Sequence, residues 1–160
     1  MNPIIRKAKN LYQKYGSENL DFLLEMLNLS LHEIPLTKHI KEAYFKDLKA
    51  VVIDPSLDHF KKRHLISHAI GHHLLHRKRE ANYFIDERSN FLESLKIRKM
   101  EREAELFASY FLIPAEKLNS LLKEEWFKGS SNPIAELAEE FQVPEDLIKK
   151  RLEFRELFNC

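Results

Sequence analysis

The sequence contains few of the residues that staple or break a small fold. A single cysteine, Cys160, in 160 residues excludes an intrachain disulfide and any metal site built from several thiolates. Only three glycines and six prolines are present, which favours long helices over tight turns. No apolar run reaches the roughly 20 residues of a membrane helix, and residues 1–7 lack the apolar core of a signal peptide. We therefore expect a cytoplasmic protein without a membrane partner.

The sequence also lacks an excess of either charge. Twenty-six Lys plus Arg oppose twenty-five Asp plus Glu, so the formal net charge is +1. Without a strong net charge, no long-range field attracts nucleic acid or anionic lipid, and the composition argues against nucleic acid as a partner. A chain of this length is sufficient to bury one hydrophobic core, and we predict a single domain over residues 1–160.

Most of the chain shows the apolar spacing of amphipathic helices. The predicted helices cover residues 3–15, 19–27, 57–76 and 91–112, followed by two or three short helices after Ala115. Asp54 or Ser56 is a suitable N-cap for the third helix, and Pro114 ends the fourth because proline cannot continue the hydrogen-bond ladder. Residues 77–90 are charged and irregular, so we predict a surface loop there.

The segment between residues 29 and 54 has the short, β-branched or alternating runs of strands. Residues 31–36, 43–48 and 50–54 are the predicted strands. Their short connections favour a small antiparallel sheet, so the predicted fold class is α+β and mostly helical. We expect residues 51–54 to pair with an extended substrate by strand addition.

A histidine cluster in the third predicted helix carries the clearest chemistry. Eight histidines are present, and five of them lie between His64 and His76. The run H-A-I-G-H at residues 68–72 has the spacing of the zinc-protease motif H-E-x-x-H. Residues four apart return to nearly the same helix face, displaced by one turn of about 5.4 Å, so two imidazoles can bind one ion. Ala69 stands where the motif has the glutamate that acts as general base, and a methyl group cannot accept a proton.

The spacing alone leaves other histidine pairs open. His64 with His68, and His72 with His76, have the same separation. Gly71 favours His68 and His72 as the central pair. A mid-helix glycine costs about 1 kcal/mol relative to alanine, and it is best explained where another backbone or a substrate passes closely.

A third ligand is expected from the acidic run in the next helix. A carboxylate on a second helix is a common third ligand of such zinc sites, and Glu101 is marginally better placed than Glu103 relative to the apolar stripe of its helix. We expect Glu105, one turn further, to accept a hydrogen bond from the non-ligating nitrogen of a ligand histidine. His73 and His76 are interpreted as packing or ligand-orienting residues.

Two longer segments follow a known pattern. Residues 63–76, R-H-L-I-S-H-A-I-G-H-H-L-L-H, resemble R-x-x-x-x-H-E-x-G-H-x-L-L-H. Residues 101–114, E-R-E-A-E-L-F-A-S-Y-F-L-I-P, resemble E-x-x-A-[ND]-x-F-A-x-x-L-L-M-P. Both patterns are those of the ImmA/IrrE family of gluzincin-like metallopeptidases, which the chain resembles over nearly its whole length. The resemblance implies a zincin-like fold with Zn²⁺ held by His68, His72 and Glu101, and with Glu105 in place of the family's Asn or Asp.

The resemblance also implies an activity, which Ala69 puts in question. Members of the family characteristically cleave a helix-turn-helix repressor and so release transcription of a mobile element or a stress regulon. Loss of a general base typically slows such chemistry by about 10²- to 10⁴-fold. Three explanations are open: the chain binds a repressor without cutting it, His73 or Glu103 serves as a substitute base, or position 69 carries an introduced Glu-to-Ala substitution.

The C-terminal segment supports a rival interpretation. Residues 133–154 have the rhythm of a helix-turn-helix pair, so a DNA-binding transcriptional regulator is an alternative function. Against it, Gln142 stands where the turn usually has glycine, and Glu145 and Asp146 would direct negative charge towards phosphates. A third interpretation is a non-catalytic, zinc-stabilised module that sequesters a repressor.

Overall fold

The structure, a computed structural model, describes residues 1–76 and 91–158. These residues form a mostly helical α+β fold with a small sheet, which confirms the predicted fold class. The predicted surface loop at residues 77–90 and the single cysteine, Cys160, lie outside the described residues. In chain order the elements are α1 (Pro3–Tyr15), α2 (Leu20–Met26), β1 (Ser30–Glu33), β2 (Glu42–Phe45), β3 (Ala50–Ile53), α3 (His59–His76), α4 (Phe91–Leu112), α5 (Ala115–Leu121), α6 (Glu125–Lys128), α7 (Pro133–Phe141) and α8 (Glu145–Phe158).

The sheet is mixed rather than wholly antiparallel as predicted. Its strand order is β1-β3-β2, with β2 antiparallel to β3 and β1 parallel to β3. The segment between β1 and β2 is long enough to cross the end of β3, so β1 pairs with the third strand and not with its neighbour in sequence. β3 is buried along its whole length and has a partner on both sides. The expected pairing of residues 51–54 with a substrate is therefore wrong.

Helix α3 begins later than the sequence predicts. The Asp58 carboxylate accepts the N–H of Lys61 at 2.9 Å, which is the contact of an N-cap. Asp54 instead accepts hydrogen bonds from Ser56, from the N–H of Leu36 and from the Lys41 ammonium. The proposed caps Asp54 and Ser56 are therefore wrong, because the Asp54 carboxylate ties together the loops around the sheet.

Helices α3 and α4 approach each other closely at Gly71. A Cβ atom added there would lie 3.2 Å from both the Cα and the carbonyl oxygen of Ala104, and 3.2 Å from Cδ1 of Phe107. A close approach of another backbone, one of the two reasons expected for this glycine, is thus present. It brings the histidine-bearing face of α3 against the acidic run of α4.

Two buried arginines attach the C-terminal helices to the rest of the fold. Arg63 on α3 donates its Nε–H to the carbonyl of Gln142, which has φ 53° in the turn between α7 and α8. Arg151 on α8 is fully buried, donates to the carbonyl of Ile113 and lies 3.5 Å above the ring of Tyr110.

Along residues 1–76 and 91–158, no helix combines the length and apolarity needed to cross a membrane.

Candidate metal centre

Three side chains from α3 and α4 converge on one point. Nε2 of His68 lies 3.3 Å from Oε2 of Glu101, and Nε2 of His72 lies 3.2 Å from Oε1 of the same carboxylate. One ligand atom from each residue lies within 4.8 Å of the others. In the part of the chain that the structure describes, no other group of His, Cys, Asp or Glu side chains has this spacing. The three residues could therefore hold a metal ion.

The donor set and its spacing fit a zinc ion. Two imidazole nitrogens and one carboxylate oxygen leave a fourth position open, as catalytic zinc sites do. With ligand bonds of about 2.0–2.1 Å, tetrahedral coordination separates neighbouring ligand atoms by about 3.3–3.4 Å. The separations of 3.3 and 3.2 Å between each imidazole Nε2 and the Glu101 carboxylate are close to that value. The three residues therefore fit the zinc ion that the family resemblance implies.

The centre is open on the Glu101 side. His72 is only 1 % exposed, whereas the Glu101 side chain is 37 % exposed. A groove of about 410 Å³ begins at His68 and Glu101 and runs between α4 and α8, where Phe154 and Leu157 form part of its wall. Among the described residues, this groove connects the convergent side chains with solvent.

Glu42 on β2 contacts the nitrogen of His68 that faces away from Glu101. Its carboxylate accepts a hydrogen bond of 2.8 Å from Nδ1 of His68, which leaves Nε2 directed at Glu101. A carboxylate on the non-ligating nitrogen is the usual way in which a metal-binding histidine is oriented. Sequence reasoning missed Glu42, because its position beside α3 depends on the sheet and not on any local motif.

The second histidine is held by a longer chain of contacts. Nδ1 of His72 lies 3.0 Å from Nδ1 of His76, and Nε2 of His76 lies 2.8 Å from a carboxylate oxygen of Glu103. His76 is therefore adjacent to His72, in the position of a ligand-orienting residue. Glu103 meets His76 and does not belong to the convergent group of three.

Glu105 contacts His64, whereas we expected it to accept a hydrogen bond from one of the ligand histidines. Its two carboxylate oxygens contact Nε2 of His64 at 3.0 Å and the Lys150 ammonium at 2.6 Å. Glu105 therefore links α3, α4 and α8 through side chains that are not in the convergent group. Among the described residues, Glu105 forms no hydrogen bond with His68.

The position of the motif's glutamate is apolar and enclosed. Ala69 is fully buried and belongs to the hydrophobic core cluster. His73, one of the two candidate substitute bases, is also buried, and its Nδ1 lies 2.8 Å from the hydroxyl of Tyr44. Among the described residues, neither His73 nor Glu103 is part of the convergent group.

The carboxylates around the centre strongly perturb its protonation. Burial alone would lower the pKa of His68, but the Glu42 and Glu101 carboxylates outweigh burial and raise that pKa well above its ordinary value. Burial would raise the pKa of Glu101, whereas its contacts with the two imidazoles hold it well below its usual range. Burial also opposes the ionised form of Glu105, yet His64, with smaller contributions from the charge of His68 and from Lys150, lowers the pKa of Glu105 to about 2. Carboxylates that remain ionised are ready to bind a cation.

Comparison with known proteins shows that most of the chain matches one protein family. The model of the IrrE N-terminal-like domain, a peptidase family, matches residues 25–153. A search of curated proteins found no significant match. The matched range includes the sheet, both site helices and the three convergent side chains. The chain therefore belongs to the ImmA/IrrE family of metallopeptidases, the family of IrrE N-terminal-like domains.

Proposed function

We propose that this chain is a zinc-dependent metallo-endopeptidase that acts on a helix-turn-helix repressor, with its cleavage slowed by Ala69. The observation that carries the proposal is the convergence of His68, His72 and Glu101 at the end of an open groove. This donor set is one that zinc peptidases use. Membership of a metallopeptidase family supports the reaction class, and the resemblance described above supports a repressor as substrate.

Each residue of the centre has a role in this proposal. His68, His72 and Glu101 would hold the ion, and Glu42 keeps the His68 ring in its binding orientation. When bound, zinc supplies Lewis-acid polarisation of a peptide carbonyl and lowers the pKa of bound water to about 7. The groove admits the substrate chain from the Glu101 side. Ala69 cannot accept a proton, so we expect cleavage to be slower by about 10²- to 10⁴-fold than with a glutamate there.

A non-catalytic repressor-binding module is the second candidate. The buried methyl group of Ala69 favours it, because the position next to His68 provides no base. The two candidate substitutes already have partners, since His73 contacts Tyr44 and Glu103 contacts His76. In this case the same groove would bind the repressor, and zinc would stabilise the fold without turnover.

The contacts of α8 argue against a DNA-binding regulator. Its basic cluster comprises Lys149, Lys150 and Arg151. Lys149 lies 3.4 Å from Asp146, and Lys150 lies 2.6 Å from Glu105. Arg151 is fully buried. Because these cations already face carboxylates or the core, they are poorly placed to neutralise phosphates.

The test compares three forms of the chain at position 69. The unchanged chain, Ala69→Glu and Ala69→Gln are loaded with zinc and incubated with a candidate helix-turn-helix repressor. We expect cleavage by Ala69→Glu at a rate at least about 10²-fold above the other two, with loss of cleavage after chelation. The glutamine variant has the same size without the carboxylate, so it controls for the effect of filling a buried position.

The alternative outcomes separate the candidates. Repressor binding by all three forms without cleavage would favour the non-catalytic module. Zinc contents well below one ion per chain, with unfolding of His68→Ala at the same temperature as the unchanged chain, would remove the metal centre and with it both zinc-based functions. Retardation of DNA that weakens steeply with salt would support the regulator instead.

A further inference from the structure

A hydrogen-bonded chain of side chains extends from the candidate metal centre into the interface of α3 and α4. It begins at His72, passes through His76 and ends at Glu103. Both histidines are 1 % exposed, so water does not offer their ring nitrogens alternative partners. The chain ends at a carboxylate on α4, two residues beyond Glu101 on the same helix.

The chemistry of the three side chains determines which group donates and which accepts in each hydrogen bond. A carboxylate only accepts hydrogen bonds, so the contact of 2.8 Å requires a proton on Nε2 of His76. The other nitrogen of a neutral His76 then has a lone pair and is a hydrogen-bond acceptor. This nitrogen, Nδ1, accepts a hydrogen bond from the Nδ1–H of His72, across 3.0 Å. Nε2 of His72 is the atom beside Glu101, and it can present its lone pair to an ion once the proton that it donates to the Glu101 carboxylate has been released.

We propose that Glu103, acting through His76, is the positioning residue that sets the ring orientation and tautomer of His72 for metal binding. The inference rests on the zinc centre proposed above. It assigns different supports to the two histidine ligands: Glu42 orients His68 directly, whereas Glu103 orients His72 through an intervening imidazole. The hydrogen-bonded chain also makes the geometry of the centre depend on how α3 and α4 are packed.

Glu105 provides a matched control for this role. It lies on the same helix two residues from Glu103, and its carboxylate also contacts a histidine of α3, namely His64. Replacing either glutamate by glutamine removes one negative charge near the centre. Only the change at Glu103 also replaces the acceptor-only carboxylate beside His76 by an amide that can donate as well as accept, so the tautomer of His76 is no longer fixed. A difference between the two variants therefore reports orientation and not charge.

The experiment measures zinc affinity and ring tautomers in Glu103→Gln and Glu105→Gln. Affinity is obtained by competition with a chromophoric chelator, and the ring nitrogens are observed by long-range ¹H–¹⁵N correlation spectra of the zinc-loaded protein. Loss of such an outer hydrogen bond typically weakens metal binding by about 10- to 100-fold. We expect Glu103→Gln to bind zinc at least about tenfold more weakly than Glu105→Gln. The Nδ1–H signal of His72 should be altered only in Glu103→Gln.

Two results would overturn the inference in different ways. Tight zinc binding by the unchanged chain, with equal affinities and unaltered His72 signals in both variants, would reject the role of Glu103 and leave the zinc centre intact. No zinc binding by the unchanged chain would reject the centre itself and therefore also its positioning residue. Thermal unfolding of both variants checks that each is folded at the temperature of the measurement.

Discussion

Zinc binding should release the proton that His68 carries between two carboxylates. Nδ1 of His68 lies 2.8 Å from Glu42 and Nε2 lies 3.3 Å from Glu101, so each nitrogen faces an acceptor and holds a proton. Burial opposes the charged ring, but these carboxylates prevail and raise the pKa of His68 well above its ordinary value. A metal ion binds only the neutral form. Below the raised pKa, each unit fall in pH should therefore weaken zinc binding about tenfold, or by about 1.4 kcal/mol.

The substitution Glu42→Gln tests this origin of the pH dependence. Without the carboxylate of Glu42, only Glu101 still opposes the effect of burial and the pKa of His68 falls, so the variant should release fewer protons per zinc at neutral pH. Its zinc affinity should also be about 10- to 100-fold lower, because glutamine orients the ring less strongly. Calorimetric titration in buffers of different ionisation enthalpy counts the protons. Equal proton release by the two forms, or a zinc affinity that does not change between weakly acidic and neutral pH, would refute the reasoning.

Three further substitutions test the packing around the centre. Gly71→Ala should lower the unfolding temperature, because a Cβ 3.2 Å from the backbone of α4 overpacks the interface by about 1–3 kcal/mol, more than the gain of about 1 kcal/mol in helix propensity. Glu105→Gln should be less stable than the unchanged chain near neutral pH. In acid titrations, the difference should vanish as pH falls from 4.5 to about 2, since a lowered pKa stabilises the fold only while the group is ionised. Lys150→Ala should change the free energy of unfolding by about 1 kcal/mol or less, because its pair with Glu105 is half exposed at the lysine.

Local signals in the sequence were sufficient for most helices and for the convergent group. Helix α1 spans Pro3–Tyr15 as predicted, because Asn2 accepts the N–H of Ile4 and Gly16 follows the last turn. The three residues predicted as ligands lie together because helical spacing and the apolar stripe of α4 are both local properties. Strand direction in β1 is not local, since it depends on a partner 20 residues away, and the sheet was predicted only in outline.

The carboxylates that contact His68 and His76 could not be predicted from the sequence, because these contacts join residues that are far apart in the chain. Glu42 reaches His68 from the sheet, and Glu103 reaches His76 only because Gly71 lets α4 approach α3. Neither contact uses the residue at position 69. The hydrogen bonds that hold the two rings are therefore complete with an alanine there, so loss of the general base does not require loss of the metal site. On this physical ground, the three side chains of a chain that lacks the base could still hold a metal ion, and cleavage and metal binding must be measured separately.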